Sequence, residues 1–417
     1  MVDLVSRRIA DHAVESLDSF RVVIINGPRQ SGKTTLLRQL EACRGGTYLT
    51  LDDGALRAAA QADPGAFIAD GPKPMMIDEI QRGGDDLVLA IKAAVDRSAS
   101  RGQFVLAGST RFLATPSLSE SLAGRASVLD VWPFAEQELA GGSMSFLSKA
   151  FDEPEALRTP GESDFGRSDY FELIARGSYP EILTMRSERA RDQWYVTYVR
   201  SIIDTDIREM AKIDEPSGLG RLLRLLAAST AQELNLVKVG SDLGIHRTTV
   251  QRYLGLLETV FLVQSLPAWS RNLTARAVRR PKLHLTDTGL AAHLLSVDAE
   301  GLAARVAPAR GPLVETFIVG ELSKQATWSP FRVGLYHWRV SQGPEVDLVI
   351  ERTNGRVVGV EAKATDAVGL DDFKGLVALR DSLGDGFVHG FVFYTGRRSL
   401  SFGDRLTALP LSALWDR

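Results

Sequence analysis

The sequence has 417 residues, 44% of them hydrophobic and 24% charged, with a formal net charge of −3. The length allows two or three domains with their own cores, and the composition excludes a disordered or collagen-like chain and a polycation, so any nucleic-acid surface must be local. Apolar runs as short as Val22–Ile25 exclude a bilayer-spanning helix, the stretch Met1–Arg8 lacks a secretory core, and the single cysteine, Cys43, points to a reducing, cytoplasmic setting without membrane contact.

In chain order, residues 1–140 alternate short β-rich runs with helical stretches, which predicts a parallel α/β sheet. The predicted strands are Arg21–Asn26, Thr47–Leu51, Pro74–Ile77, Phe104–Ala107 and Ser127–Trp132. Residues 141–168, rich in Gly, Ser, Pro and Glu, read as a linker or insertion. A mostly helical stretch follows over 169–235, with apolar spacings of three and four in Val196–Met210 and Leu219–Leu226. Residues 236–290 read as a winged helix. From 312 to 417 the patterns mix again, with helix Leu313–Gln325, strands Leu335–Val340, Glu345–Glu351 and Arg356–Lys363, helix Asp371–Leu383 and strand Phe387–Tyr394.

The most specific motif is Gly27-Pro28-Arg29-Gln30-Ser31-Gly32-Lys33-Thr34, followed by Thr35, between a buried-type strand and a helical run. It fits the Walker A pattern, in which loop amides wrap a phosphate at a helix N-terminus, the lysine reaches the β- and γ-phosphates, and the hydroxyl of Thr34 binds magnesium. The apolar run Met75-Met76-Ile77 ends in Asp78-Glu79, the Walker B form: Asp78 for the magnesium shell, Glu79 to polarise the attacking water. Strand Phe104–Ala107 runs into Gly108-Ser109-Thr110, where either Ser109 or Thr110 is placed to sense the γ-phosphate. For a positive charge supplied by a neighbouring subunit the first candidate is Arg125, ahead of Arg111 and Arg29. The expected ligands are ATP and Mg2+.

In the middle of the chain, Val237–Leu243, the turn Gly244-Ile245 and His246–Thr259 read as a helix-turn-helix. Val250, Tyr253, Leu254 and Leu257 form its inward stripe and Arg247, Thr248 and Gln251 face solvent. Predicted strands Phe261–Leu266 and Lys282–Leu285 frame a wing carrying Arg271, Arg276, Arg279 and Arg280. Residues 221–285 hold ten Lys/Arg against three Asp/Glu, a local excess of seven positive charges that suits a phosphate backbone. A subunit-docking role for the same module is the alternative.

Near the C-terminus, Glu345–Glu351 and Arg356–Lys363 meet at Asn354-Gly355. A two-residue loop pairs positions summing to 709; a three-residue loop with a left-handed glycine pairs positions summing to 708. Only the 708 register makes one face uniformly apolar (Val346–Ala362, Leu348–Val360, Ile350–Val358) and sets Asp347 across from Glu361 and Glu345 across from Lys363. Two carboxylates so close repel unless a divalent cation lies between them; Glu315 on the preceding helix would complete its shell and Lys363 would orient a water.

The order GPRQSGKTTLL, LDD, MMIDEIQR, LAGSTRFL and LAGRASVLDVWPFAEQEL, continued by GSYPEIL and PKLHLTDTGL, resembles the AAA-type ATPases of the archaeal-ATPase-like group that carry a C-terminal DUF4143 region. The resemblance covers nearly the whole chain and implies an ATP-hydrolysing homo-oligomer in a ring or partial ring, such as a hexamer. The C-terminal hairpin resembles the PD-(D/E)xK restriction-endonuclease-like fold, archaeal Holliday-junction resolvases included, with Asp347, Glu361-Ala362-Lys363 and helix acid Glu315 at the signature positions. The one departure is valine in place of proline before Asp347. Together these imply an ATPase that binds DNA, branched DNA included, through a winged helix and a nuclease-like domain, either competent or inactive for cleavage. The second reading is a nucleotide-controlled switch for a protein partner, with the nuclease-like domain as a docking surface.

Overall fold

A computed structural model describes residues 5–69, 71–110, 122–142, 145–158, 161–208, 217–340 and 343–415. The chain divides into two compact units, Met1–Pro133 with Thr259–Phe261, and Phe134–Glu258 with Leu262–Arg417. Among the described residues no helix is long and apolar enough to cross a membrane.

The first unit is built on five parallel strands, β1 (Val22–Asn26), β2 (Thr47–Thr50), β3 (Met75–Asp78), β4 (Phe104–Gly108) and β5 (Ala126–Asp130), in the order β2-β3-β4-β1-β5. The continuous apolar runs of β1 and β4 are buried along their whole length, as expected of central strands covered on both faces. Helix Lys33–Arg44 buries Leu36, Leu37 and Leu40, and helix Gly84–Arg97 buries Leu87, Val88, Ile91 and Val95, each a stripe at three- and four-residue spacing. Leu87, Val88, Ile91 and Val95 pack with Val22, Ile24, Met75, Ile77, Phe104 and Leu106 into one core. Predicted and observed strands differ by at most two residues at an end.

The second unit contains two sheets. The smaller joins β6 (Gln232–Glu233), β7 (Val263–Leu266) and β8 (Lys282–Leu285) antiparallel in the order β6-β8-β7. Helices Ser217–Ala228, Leu236–Leu243, Arg247–Thr259 and Leu273–Val278 are interleaved with it, giving the order helix, strand, helix, turn, helix, strand, short helix, strand. The larger sheet has β9 (Val333–Arg339), β10 (Glu345–Arg352), β11 (Val357–Lys363), β12 (Phe387–Tyr394), β13 (Leu400–Ser401) and β14 (Leu406–Pro410), in the order β13-β14-β12-β11-β10-β9. Hairpin β10–β11 takes the 708 register: Leu348 faces Val360 and Ile350 faces Val358. Its loop is closed by Arg352 N–H to Arg356 O (2.9 Å), with Gly355 at φ 79°, a left-handed position that costs glycine nothing.

Two expectations change. Within the stretch read as a linker or insertion, helix Phe146–Asp152 buries Phe146, Leu147, Ala150 and Phe151, and Phe146 packs edge-on against Phe391 and Phe393. Polar composition hid a short helix whose apolar face is only four residues. The predicted helix Val196–Met210 is the end of helix Glu188–Ser201 and a wider π-helical turn, Ile202–Ile207; Met210 lies outside the described residues.

The motifs GSYPEIL and LTDTGL meet inside this unit. Buried Asp287 accepts hydrogen bonds from Ser178 N–H (2.8 Å), Ser178 Oγ–H (3.0 Å), Tyr195 OH (3.0 Å) and Leu290 N–H (2.8 Å). A carboxylate with four donors balances its desolvation, and removing it takes the acceptor from the Ser178 and Leu290 amides and the Ser178 hydroxyl, while Tyr195 OH keeps Arg176 O at 3.0 Å. Asp287→Ala is therefore expected to lower the stability of the unit by on the order of 3–5 kcal/mol, read as a drop in the urea midpoint; a loss below about 1 kcal/mol contradicts this role.

Candidate nucleotide site and carboxylate cluster

The loop between β1 and helix Lys33–Arg44 is shaped by backbone constraints. At Gly27 a Cβ would meet Val131 O at 2.1 Å, so only glycine lets the chain leave β1 there. Gln30 (φ 60°) and Gly32 (φ 96°) are both left-handed, which turns successive amides inward. Lys33, the first helical residue, is buried, and its Nζ donates to Gly27 O (2.9 Å) and Pro28 O (2.8 Å) across the mouth of the loop. Ser31 is fully buried with an unpartnered Oγ, while Thr35 is exposed on the helix.

Across the carboxyl edge of the sheet, Thr34 Oγ1 donates to Asp78 Oδ2 (2.7 Å), joining helix Lys33–Arg44 to the end of β3. Tyr48 OH donates to the same oxygen (3.1 Å). Burial, with the Asp78 charge beside it, pushes the Tyr48 phenol up to about 12, so it stays a donor at neutral pH. Glu79 is left-handed (φ 52°), a strained conformation for a non-glycine residue, and this turns its carboxylate off the strand axis. Gln81 Nε2 donates to Glu79 Oε2 and also lies 3.4 Å from Ser109 Oγ, at the end of β4. The geometry brings together Lys33, Thr34, Asp78, Glu79 and Ser109. Arg111 lies outside the described residues, and Arg29 is half-buried on the loop. Arg125 is bound on its own chain, to both oxygens of Asp96 (2.5 and 3.1 Å), so any role in a neighbouring site would first have to break that pair.

Sequence reasoning missed three residues here. Tyr48 lies in an expected strand but carries no motif signal, and Gln81 lies in the run MMIDEIQR, on the 3-10 turn Ile80–Gly83, without a role read from it. Arg7 is the third: its buried guanidinium donates to Ser31 O (2.7 Å) and Trp132 O (2.6 Å), pinning the loop from outside the motif. Only the fold shows that it reaches the loop.

The second cluster lies on the hairpin. Asp347 and Glu361 converge as expected, both buried, with Asp347 Oδ2 accepting from Ala362 N–H (3.1 Å) and Glu361 Oε2 lying 3.4 Å from Lys363 Nζ. Glu315, from helix Arg310–Ala326, joins them. A divalent ion expected at Glu315, Asp347 and Glu361 would meet a lysine there. Among the described residues no group of three or more His, Cys, Asp or Glu is arranged to hold an ion. Instead Lys282, from β8, places its buried ammonium 2.7 Å from Glu315 Oε1 and 3.1 Å from Asp347 Oδ1. Burial pushes the Asp347 carboxyl up, but Lys282 and the Ala362 amide outweigh this and hold it below the ordinary range. Burial and then the Asp347 charge raise both Glu315 and Glu361 well above theirs. For Lys363, burial opposes the charge but Glu361 holds it high. Lys282 was legible only as one of ten basic residues; its pairing depends on a contact across 65 residues.

On helix Arg247–Thr259, Arg247, Thr248 and Gln251 are exposed and Val250 and Leu257 buried, as expected, whereas Tyr253 and Leu254 of the expected inward stripe are half-buried. Arg271, Arg279 and Arg280 are exposed on the segment between β7 and β8. Arg276 is not a free wing cation: it makes a bidentate pair with Glu351 (2.7 and 2.8 Å) and lies over the Tyr336 ring at 4.8 Å.

Comparison with known proteins matches three stretches of the chain. Residues 19–140 match the model of an AAA domain, 167–301 that of the domain of unknown function DUF8612, and 310–414 that of the domain of unknown function DUF4143. The uncharacterized proteins Rv2008c of Mycobacterium tuberculosis and Mb2031c of Mycobacterium bovis are each 29% identical over 395 residues, covering 93% of this chain and 80% of theirs. Among solved structures, the Walker-type ATPase PABY2304 of Pyrococcus abyssi is similar at 16% identity and a TM-score of 0.42, over 70% of this chain and 96% of its own. The RuvB Holliday junction branch migration motor of Thermotoga maritima is similar at 16% and 0.29, over 63% of this chain and 90% of its own. The first unit thus contains an AAA-type P-loop domain, a nucleotide-binding fold, and the C-terminal sheet lies in a DUF4143 region.

Arg7→Ala removes two charged hydrogen bonds, each worth about 1.5–3 kcal/mol. Even partial expression of that loss in the loop is expected to weaken Mg-ATP binding about tenfold or more, measured by titration with a fluorescent ATP analogue. Unchanged affinity would show that Arg7 does not hold the loop in its binding shape.

Proposed function

We propose that this protein is a magnesium-dependent ATPase whose middle segment is a winged helix that contacts duplex DNA. The observation that carries the first part is the Thr34–Asp78 hydrogen bond at the carboxyl edge of β1 and β3, beside a lysine that opens the following helix. Thr34 and Asp78 would hold Mg2+, which when bound neutralises charge on the β- and γ-phosphate oxygens. Lys33 exchanges its two loop carbonyls for phosphate oxygens, and the amides around Ser31 and Gly32 receive the β-phosphate at the helix N-terminus. Glu79 accepts the proton of the attacking water, and Gln81 orients that carboxylate while reaching Ser109 beside the γ-phosphate position.

The DNA part rests on the helix-turn-helix order and on its exposed Arg247, Thr248 and Gln251, with Arg279 and Arg280 on the wing. Arg276 does not contribute, because Glu351 neutralises it. The six-stranded domain is nuclease-like in the placement of Asp347, Glu361 and Lys363, but Lys282 favours binding or docking over cleavage there.

Lys33→Ala is expected to abolish ATP binding, and Glu79→Gln to keep nucleotide bound while slowing turnover by about a hundredfold or more. Steady-state phosphate release checks both, and wild-type turnover in either variant removes the assigned role. For the DNA part, wild type is expected to retain a labelled duplex at low salt and lose it steeply as salt rises. The pair Arg279→Glu and Arg280→Glu should weaken retention about tenfold or more. Absence of duplex binding at low salt contradicts the DNA reading and supports a nucleotide-controlled switch acting on a protein partner.

A further inference from the structure

We propose that Lys282 is the resident cation of the Glu315–Asp347–Glu361 cluster, an ammonium built into the place a divalent ion would need, so that this site takes no metal. Lys282 Nζ lies 2.7 Å from Glu315 Oε1 and 3.1 Å from Asp347 Oδ1, bridging the two carboxylates that come from different elements. The second oxygen of Asp347 is spent on Ala362 N–H, and Glu361 is turned toward Lys363 at 3.4 Å. An ammonium and a dication compete for these oxygens: their mutual repulsion is only weakly screened where the side chains of Lys282, Glu315 and Asp347 are 9%, 13% and 12% exposed.

The lysine is also hard to move. It stands on β8, where Lys282 pairs with Leu266 on one side and Glu233 on the other, so its backbone is fixed by two neighbouring strands. Two residues on, the fully buried His284 donates or accepts through Nδ1 with Thr316 Oγ1 (3.1 Å), while its Nε2 has no hydrogen-bond partner and lies 4.0 Å from Glu315 Oε1. Around the lysine lie donor types that bind cations, the carboxylates of Glu315 and Asp347 in contact with it and the His284 imidazole beyond Glu315. Removing the ammonium while keeping its stem is expected to open that place to a transition ion.

The test uses the full chain, free of nucleotide, and Mn2+ followed by electron paramagnetic resonance and calorimetry. Wild type is expected to bind no stoichiometric Mn2+ whose signal depends on Glu361; Lys282→Met is expected to bind one Mn2+ per chain, lost again in Lys282→Met with Glu361→Gln. A stoichiometric ion in wild type that disappears in Glu361→Gln overturns the proposal directly, and this arm needs no change at Lys282. A folded Lys282→Met protein, judged by circular dichroism, that takes up no ion overturns the claim that the ammonium is what excludes it.

Discussion

The nucleotide site depends on a single polar contact, the hydroxyl of Thr34 against the carboxylate of Asp78. It can form only because β1 and β3 run parallel on either side of β4, so that the helix after β1 and the acidic end of β3 open on the same edge of the sheet. Everything else at the site is arranged around that pair. Tyr48, from the neighbouring strand β2, fixes the same Asp78 oxygen; the left-handed Glu79 leaves the strand immediately after it; Gln81 carries the contact across to Ser109 at the end of β4. Glycine at position 27 and the guanidinium of Arg7 hold the phosphate loop against Val131 and Trp132, so the loop is shaped from both ends.

In the second unit the governing constraint is charge burial. Asp287 is satisfied entirely by hydrogen-bond donors, and the Glu315–Asp347–Glu361 group by a lysine. The two solutions differ in consequence. Four neutral donors make a fixed structural node, whereas an ammonium among carboxylates fills a place that chemistry elsewhere gives to a metal ion. A domain can in this way bury several carboxylates while holding them in an ion-pair network. Arg276 with Glu351 repeats the theme at the edge of the same sheet, turning an apparent nucleic-acid contact into an internal pair.

What could be read from residues alone follows from the range of the interactions. The phosphate loop, the Asp78-Glu79 strand end and the hairpin register were legible because each is set within about twenty residues by patterning and turn chemistry. The 708 register followed from the hydrophobic face alone and matches the observed pairing of Leu348 with Val360. The face of helix Arg247–Thr259 was legible in part from its 3.6-residue periodicity, with Val250 and Leu257 buried, Arg247 exposed and Tyr253 and Leu254 between them half-buried. Arg7, Lys282 and Arg276 were misread or passed over because a long basic side chain can meet a partner far along the chain, and composition does not say which one. Helix Phe146–Asp152 was missed for a different reason: seven residues are too few to show a period. Strand β14 (Leu406–Pro410) was missed because its apolar run is short and ends in proline.

The central claim is that ATP hydrolysis at Lys33, Thr34, Asp78 and Glu79 belongs to a protein that engages DNA. The most direct measurement is the steady-state ATPase rate with magnesium, taken without nucleic acid and with linear duplex, single strand and a four-way junction, each at two salt concentrations. The account predicts a basal rate that duplex-containing DNA raises at low salt and that falls back as salt is increased. A rate that no nucleic acid changes at either salt concentration, or no ATP hydrolysis under any of these conditions, would contradict it.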